Sequence, residues 1–137
     1  MKKLVMISAW TLIASAAFAD NIESADRLLC STSLIVVCFE DGDCINTLPW
    51  EVNVPQFIVI DTKKMTLSTT KASNENRTTR IRTLQRDAGT IILQGIEQGR
   101  AFSYVIDEAS RLATVSVARD GVSVSVFGAC TDADARK

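Results

Sequence analysis

Between Thr90 and Cys130 the chain alternates apolar and polar residues, breaks at turn residues, and alternates again. A side-chain period of two belongs to half-buried strands, so this run limits the fold more than any other feature. Thr90-Ile91-Ile92-Leu93-Gln94 is short and β-branched, which suits a largely buried strand. Gly95 and Gly99 bracket a five-residue loop of hairpin length. Phe102, Tyr104 and Ile106 then share one strand face. Asp107-Glu108-Ala109-Ser110 reads as a turn, and Ala113, Val115 and Val117 share the next face. Asp120-Gly121 is a hairpin signal, because glycine accepts the positive φ of a type I′ turn. Val122, Val124 and Val126 follow, interleaved with serines. Four consecutive strands on short loops make a meander with one dry face and one wet face.

The preceding half reads the same way. Strands are predicted at Leu34-Ile35-Val36-Val37-Cys38-Phe39, at 56–60, at 65–70 and at 78–86. Asn46 to Pro55 is predicted irregular, since Pro49 and Pro55 both interrupt a ladder. Residues 72–76 are polar and predict an exposed loop. Asn21 to Leu29 predicts a short capped helix or else a loose N-terminal arm. About eight strands follow, in one small antiparallel all-β domain, either a barrel or a sandwich. The nearly continuous up-and-down order favours the barrel, whose closure also removes exposed strand edges.

The first 19 residues read as a cleaved signal peptide: Lys2-Lys3, an apolar run from Leu4 to Ala14, and Ala17-Phe18-Ala19 before the cut. The expected mature domain is 20–137, exported to the periplasm or secreted, with no membrane span left after cleavage. Cys30 follows Arg27-Leu28-Leu29, which lacks the small residues of a lipidation site. All four cysteines fall in the mature part, and an even count in an exported chain predicts two disulfides. Cys38–Cys44 would close the tight loop at residues 40–43, and Cys30–Cys130 would tie the start of the domain to its end. A Cys30–Cys38 bridge is disfavoured, because eight residues of strand would hold the sulfurs far apart.

The chain has no histidine, which removes histidine triads, histidine general bases and most zinc sites. Paired cysteines leave no thiolate nucleophile. No Gly-x-Ser-x-Gly or phosphate-binding glycine loop is present. The expectation is a protein without catalytic residues, cofactor or metal; the acids Glu40, Asp41 and Asp43 do not follow a calcium-loop spacing. Without Lys2 and Lys3 the net charge moves from −1 to −3, which gives no general affinity for nucleic acid or anionic membrane.

Charge is nevertheless uneven. Lys63 to Arg86 carries seven basic residues against Glu75 alone. Arg80, Arg82 and Arg86 have one parity and would share a strand face. That face reads as a patch for a protein or other acidic partner or for a phosphate- or carboxylate-bearing ligand, or else as a solvated wall in which arginines blunt self-association. Trp50, after Pro49, reads as a contact anchor or as a cover over the end of the core. Phe102, Tyr104 and Ile106 would line the inside of a barrel, filled or hollow. Asn76-Arg77-Thr78 matches a glycosylation acceptor.

Gly89-Thr90-Ile91-Ile92-Leu93-Gln94-Gly95, Gly99-Arg100-Ala101-Phe102 and Gly128-Ala129-Cys130 resemble small exported proteobacterial proteins of unknown function. They are more loosely similar to the C-type lysozyme inhibitors, which are small periplasmic β-barrels. The resemblance implies an exported β fold and protein binding, and carries no inhibitory residue across. The expected role is therefore a non-catalytic binding module, with Arg80, Arg82, Trp50, Glu97 and Arg100 as candidate contacts. The alternatives are a carrier of a small apolar ligand in a barrel cavity, an inhibitor of a hydrolase such as lysozyme, and an enzyme that works through a carboxylate pair or a serine–lysine pair in a cleft.

Overall fold

The computed structural model describes residues 22–73 and 76–135. The expected signal peptide, its cut after Ala19 and the Asn21 helix cap lie outside the described residues. Nine strands are formed among the described residues: β1 (Arg27–Phe39), β2 (Cys44–Thr47), β3 (Phe57–Asp61), β4 (Thr66–Thr69), β5 (Thr78–Asp87), β6 (Thr90–Glu97), β7 (Arg100–Asp107), β8 (Leu112–Arg119) and β9 (Val122–Asp132). Every pairing is antiparallel. Strands β3 to β9 follow one another in the sheet, and β1 lies between β3 and β9. Eight strands thereby close into a barrel, and β2 hangs on the second half of β1 as an extra ribbon.

The capped helix expected before Leu29 does not form. Leu28 pairs with Ile60 on β3 and with Asp132 on β9, and its side chain is fully buried. An isolated nine-residue helix is marginal in water, whereas a strand here gains two ladders and an apolar interior. The loop expected at residues 95–99 also shortens. Gly95 lies inside β6, and the turn is Gln98-Gly99, with φ of 48° and 77°. Both central residues are left-handed, as a type I′ turn requires, and Ala88-Gly89 repeats the arrangement at 46° and 77°. The Asp120-Gly121 hairpin forms where expected, but only Gly121 takes a positive φ there, so that turn is not type I′.

Two β-bulges set which side chains enter the barrel. In β1 the register slips between Thr32 and Leu34, and in β5 between Ile81 and Thr83. Each extra residue reverses the inward parity beyond it. Cys30 and Thr32 point inward before the first bulge, and Ile35 and Val37 after it. Ile81 points inward before the second bulge, and Leu84 packs on the core after it. Arg80, Arg82 and Arg86 therefore do not share a face, contrary to the simple count of two. Arg86 follows Leu84 to the closed end, while Arg80 and Arg82 are exposed.

Both disulfides are those expected, Cys30–Cys130 and Cys38–Cys44. Each joins residues directly opposite in register: Cys30 on β1 faces Cys130 on β9, and Cys38 faces Cys44 across the β1–β2 hairpin. Two formed disulfides fit an oxidising compartment.

The interior has two halves. Around Leu28, Ile60, Ile81, Ile91, Leu93 and Ile106 it is filled with large aliphatic side chains, each at most 1% exposed. Ile22 and Ala25 from the segment before β1 join this cluster and plug that end. Arg86 holds the plug in place: it donates to the backbone carbonyls of Glu23 and Ala25 and pairs with the buried Glu108 carboxylate. At the other end the inward residues of β8 and β9 are valines, and there the barrel is hollow.

Candidate functional site

The hollow half is built from residue volume. Val115 and Val117 on β8 and Val122, Val124 and Val126 on β9 all point inward, with Val37 on β1 beside them. A valine is one methylene shorter than the isoleucines and leucines that fill the other end. Ala113 and Gly128, directly opposed across β8 and β9, are smaller still. The result is a cavity of about 370 Å³ that runs down to Cys30, Leu67 and Phe102. This lies within the range of roughly 300–1,000 Å³ usual for small-molecule sites.

The open end is ringed by turns and by one long loop. The 98–99 and 120–121 turns stand on one side, and residues 52–55 fold over on the other, adding Val52 and Val54 to the lining. Arg77 fastens that loop by donating from Nη2 to the Asn53 carbonyl at 3.4 Å. Charge collects at this rim and nowhere deeper along the cavity lining: Arg77, Arg100 and Arg119 face one carboxylate, Glu97. Thr79 donates to Glu97 Oε1 at 2.6 Å, and Arg100 Nη2 donates to Gln98 Oε1 at 2.8 Å.

Tyr104 stands between rim and floor. It lies deep in the protein, and the edge that stays accessible faces the cavity rather than bulk water. Its ring meets Phe102 edge to face, with centroids 5.9 Å apart. Burial raises the phenol pKa well above its ordinary value, the Glu97 charge adds to the rise, and Arg77 opposes it. The hydroxyl is thus a neutral hydrogen-bond donor and acceptor inside an apolar chamber.

The structure brings together only some of the residues singled out in the sequence. Glu97 and Arg100, flanking the 98–99 turn, both reach the cavity mouth. Arg80 and Arg82 sit on the outer wall of β5, away from the cavity lining. Trp50 lies in a single 3₁₀ turn, Pro49–Glu51, and is 71% exposed, so it does not fold over the core. Glu51 braces that turn, accepting from Thr47 Oγ1 and from the Leu48 amide, contacts that lower its carboxyl pKa in that order of importance. Ile45 and Leu48 are exposed close by in sequence.

The basic stretch from Lys63 to Arg86 is dispersed. Lys63 pairs with Asp26 and Lys64 with Asp61 near the closed end, Arg86 binds the plug, and Arg77 goes to the mouth. Sequence reasoning missed Arg77 and Arg119 as rim residues. The available signal was positional: each stands at a strand end on the side of the barrel where the inward residues are valines. Among the described residues, no three His, Cys, Asp or Glu side chains converge as a metal-binding group. No protein-family model, curated protein or solved structure matches the chain.

Proposed function

We propose that this protein is an exported, non-catalytic carrier that holds a small, largely apolar molecule in the open half of its barrel. The observation that carries the reading is the cavity of about 370 Å³ walled by valines, in a barrel whose other half is fully packed. An apolar chamber with a few polar groups at one end is the usual form of a small-molecule site. Export to the periplasm, with cleavage after Ala19, belongs to the same proposal. It rests on the N-terminal signal pattern and on two formed disulfides.

Native and denaturing mass spectrometry of the protein purified from its own exported fraction tests the reading. The expected result is extra native mass that is lost on denaturation and absent from a Val117→Trp variant, whose indole would occupy the chamber. A bare native mass, unchanged on mixing with a panel of apolar small molecules, would defeat the carrier reading.

A second reading has its own observation. Trp50 at 71% exposure, with Ile45 and Leu48 also exposed, offers an anchor for a protein partner. Loss of a co-purifying protein on Trp50→Ala, with ligand uptake intact, would favour it.

A further inference from the structure

We infer that the ligand is a slender anionic amphiphile, a monocarboxylate with a linear or lightly branched apolar tail of about ten carbons. This deepens the carrier reading and rests on it.

The first argument is the separation of charge along the chamber. Below the rim the lining is mainly hydrocarbon, with Ser31, Thr32 and Tyr104 as its polar side chains, and it holds no charged group to compensate a buried charge. A ligand entering tail first keeps its polar group at the rim. The residues that line the cavity include three guanidinium groups and one carboxylate, all toward the rim, a surplus of two positive charges facing the chamber. A cationic head would meet that surplus as repulsion, and a neutral head would gain nothing from it. A carboxylate matches the planar fork of an arginine and can accept two parallel hydrogen bonds from it.

The second argument concerns Glu97, the one carboxylate in the cavity lining; Glu40, beside the 120–121 turn, lies outside that lining. Glu97 is engaged within the protein, accepting from Thr79 Oγ1 at 2.6 Å. Arg100 and Arg119, standing on β7 and β8 beside the 98–99 and 120–121 turns, are the cations placed to meet a head group. Tyr104, lower in the chamber, supplies a hydroxyl donor on the path between tail and head.

The third argument is volume. At about 30 Å³ for each water-sized group, 370 Å³ holds roughly a dozen non-hydrogen atoms. Decanoate has that size, whereas a two-chain lipid does not fit.

Isothermal titration with decanoate, 1-decanol and decyltrimethylammonium tests the proposal. The proteins compared are the native chain, an Arg100→Glu/Arg119→Glu variant and a Val117→Trp variant, each checked for a native thermal melt. The expected result is that decanoate binds the native protein at least tenfold more tightly than decanol, with decyltrimethylammonium weakest. Reversing the two rim charges should remove the decanoate advantage and leave decanol unchanged, and Val117→Trp should abolish all three. Equal binding of decanoate and decanol would overturn the head-group assignment while the carrier reading stands. Binding of none of the three would overturn the amphiphile, and the native mass of the exported protein then decides the carrier reading separately.

Discussion

Arg86 reaches from the last turn of β5 to the Glu108 carboxylate at the closed end of the barrel, and its Nη2 donates to the Ala25 carbonyl at 2.6 Å. One guanidinium thereby joins the β7–β8 turn to the N-terminal plug. Glu108 is only 8% exposed, and Arg86 is the cation paired with it there. Arg86→Met should destabilise the protein by about 2–4 kcal/mol, because a carboxylate and two carbonyls lose their donor together. Glu108→Gln, which keeps an acceptor, should cost less. Urea unfolding measures both, and a loss below about 0.5 kcal/mol for Arg86→Met would mean that the pair is idle.

Gly128 and Gly95 are required by close approach rather than by a left-handed backbone. A Cβ on Gly128 would lie 1.9 Å from the Ser31 carbonyl oxygen, next to the β1 bulge. One on Gly95 would lie 2.4 Å from Phe102 Cζ and 2.9 Å from the Arg80 carbonyl. Gly128→Ala must move backbone on the strand that closes the barrel and should cost about 3 kcal/mol or more. Gly95→Ala also displaces the Phe102 ring and should cost about 1–3 kcal/mol. Equal melting temperatures for the two variants would contradict this ranking.

Tyr104 sets an alkaline limit. Its phenol pKa is raised in the folded state relative to the unfolded chain, so the fold favours the protonated form. Its contribution is complete below the unfolded pKa of about 10 and is lost progressively as pH rises above it. Stability should fall above about pH 10, and Tyr104→Phe should flatten that fall. The chain has a single tyrosine, so the tyrosinate absorbance band reports this residue alone. The band should stay absent above pH 10 until unfolding begins, and its appearance in the native protein at pH 10 would contradict the buried site.

Trp50 stands free of the core. Trp50→Ala should change stability by less than about 0.5 kcal/mol, as expected at an exposed position. In protein that starts at Asp20, and so lacks Trp10, its fluorescence should emit at the long wavelength of a hydrated indole and be quenched readily by iodide. Blue-shifted, protected emission would place the ring in an interface or over the cavity mouth.

The period-two run from Thr90 to Cys130 was legible because strand alternation is local: β6 to β9 appear within a few residues of their expected limits. The two disulfides were legible for a related reason, since strand length disfavours Cys30–Cys38 and the tight loop at residues 40–43 favours Cys38–Cys44, and both expected pairs form. Glu97 and Arg100 stand out in the sequence as candidate partner contacts, and nothing in their spacing shows that the fold brings both to the cavity mouth. Trp50 reads in the sequence as an anchor or as a cover, and its exposure outside the closed barrel speaks against the cover alone.

The alternating pattern, taken alone, determines that the chain folds as an antiparallel all-β domain. A period of two leaves no other way to bury Val115, Val117, Val124 and Val126 on one side. The two bulges were decided by tertiary structure, because a bulge answers to the partner strand and not to its own sequence. The bulge in β5 sends Arg86 to the closed end and parts it from Arg80. The cavity was decided there as well. Six inward valines look like an ordinary core in one dimension, and they leave a space only because closure of β1 on β9 sets a barrel radius that valines are too short to fill.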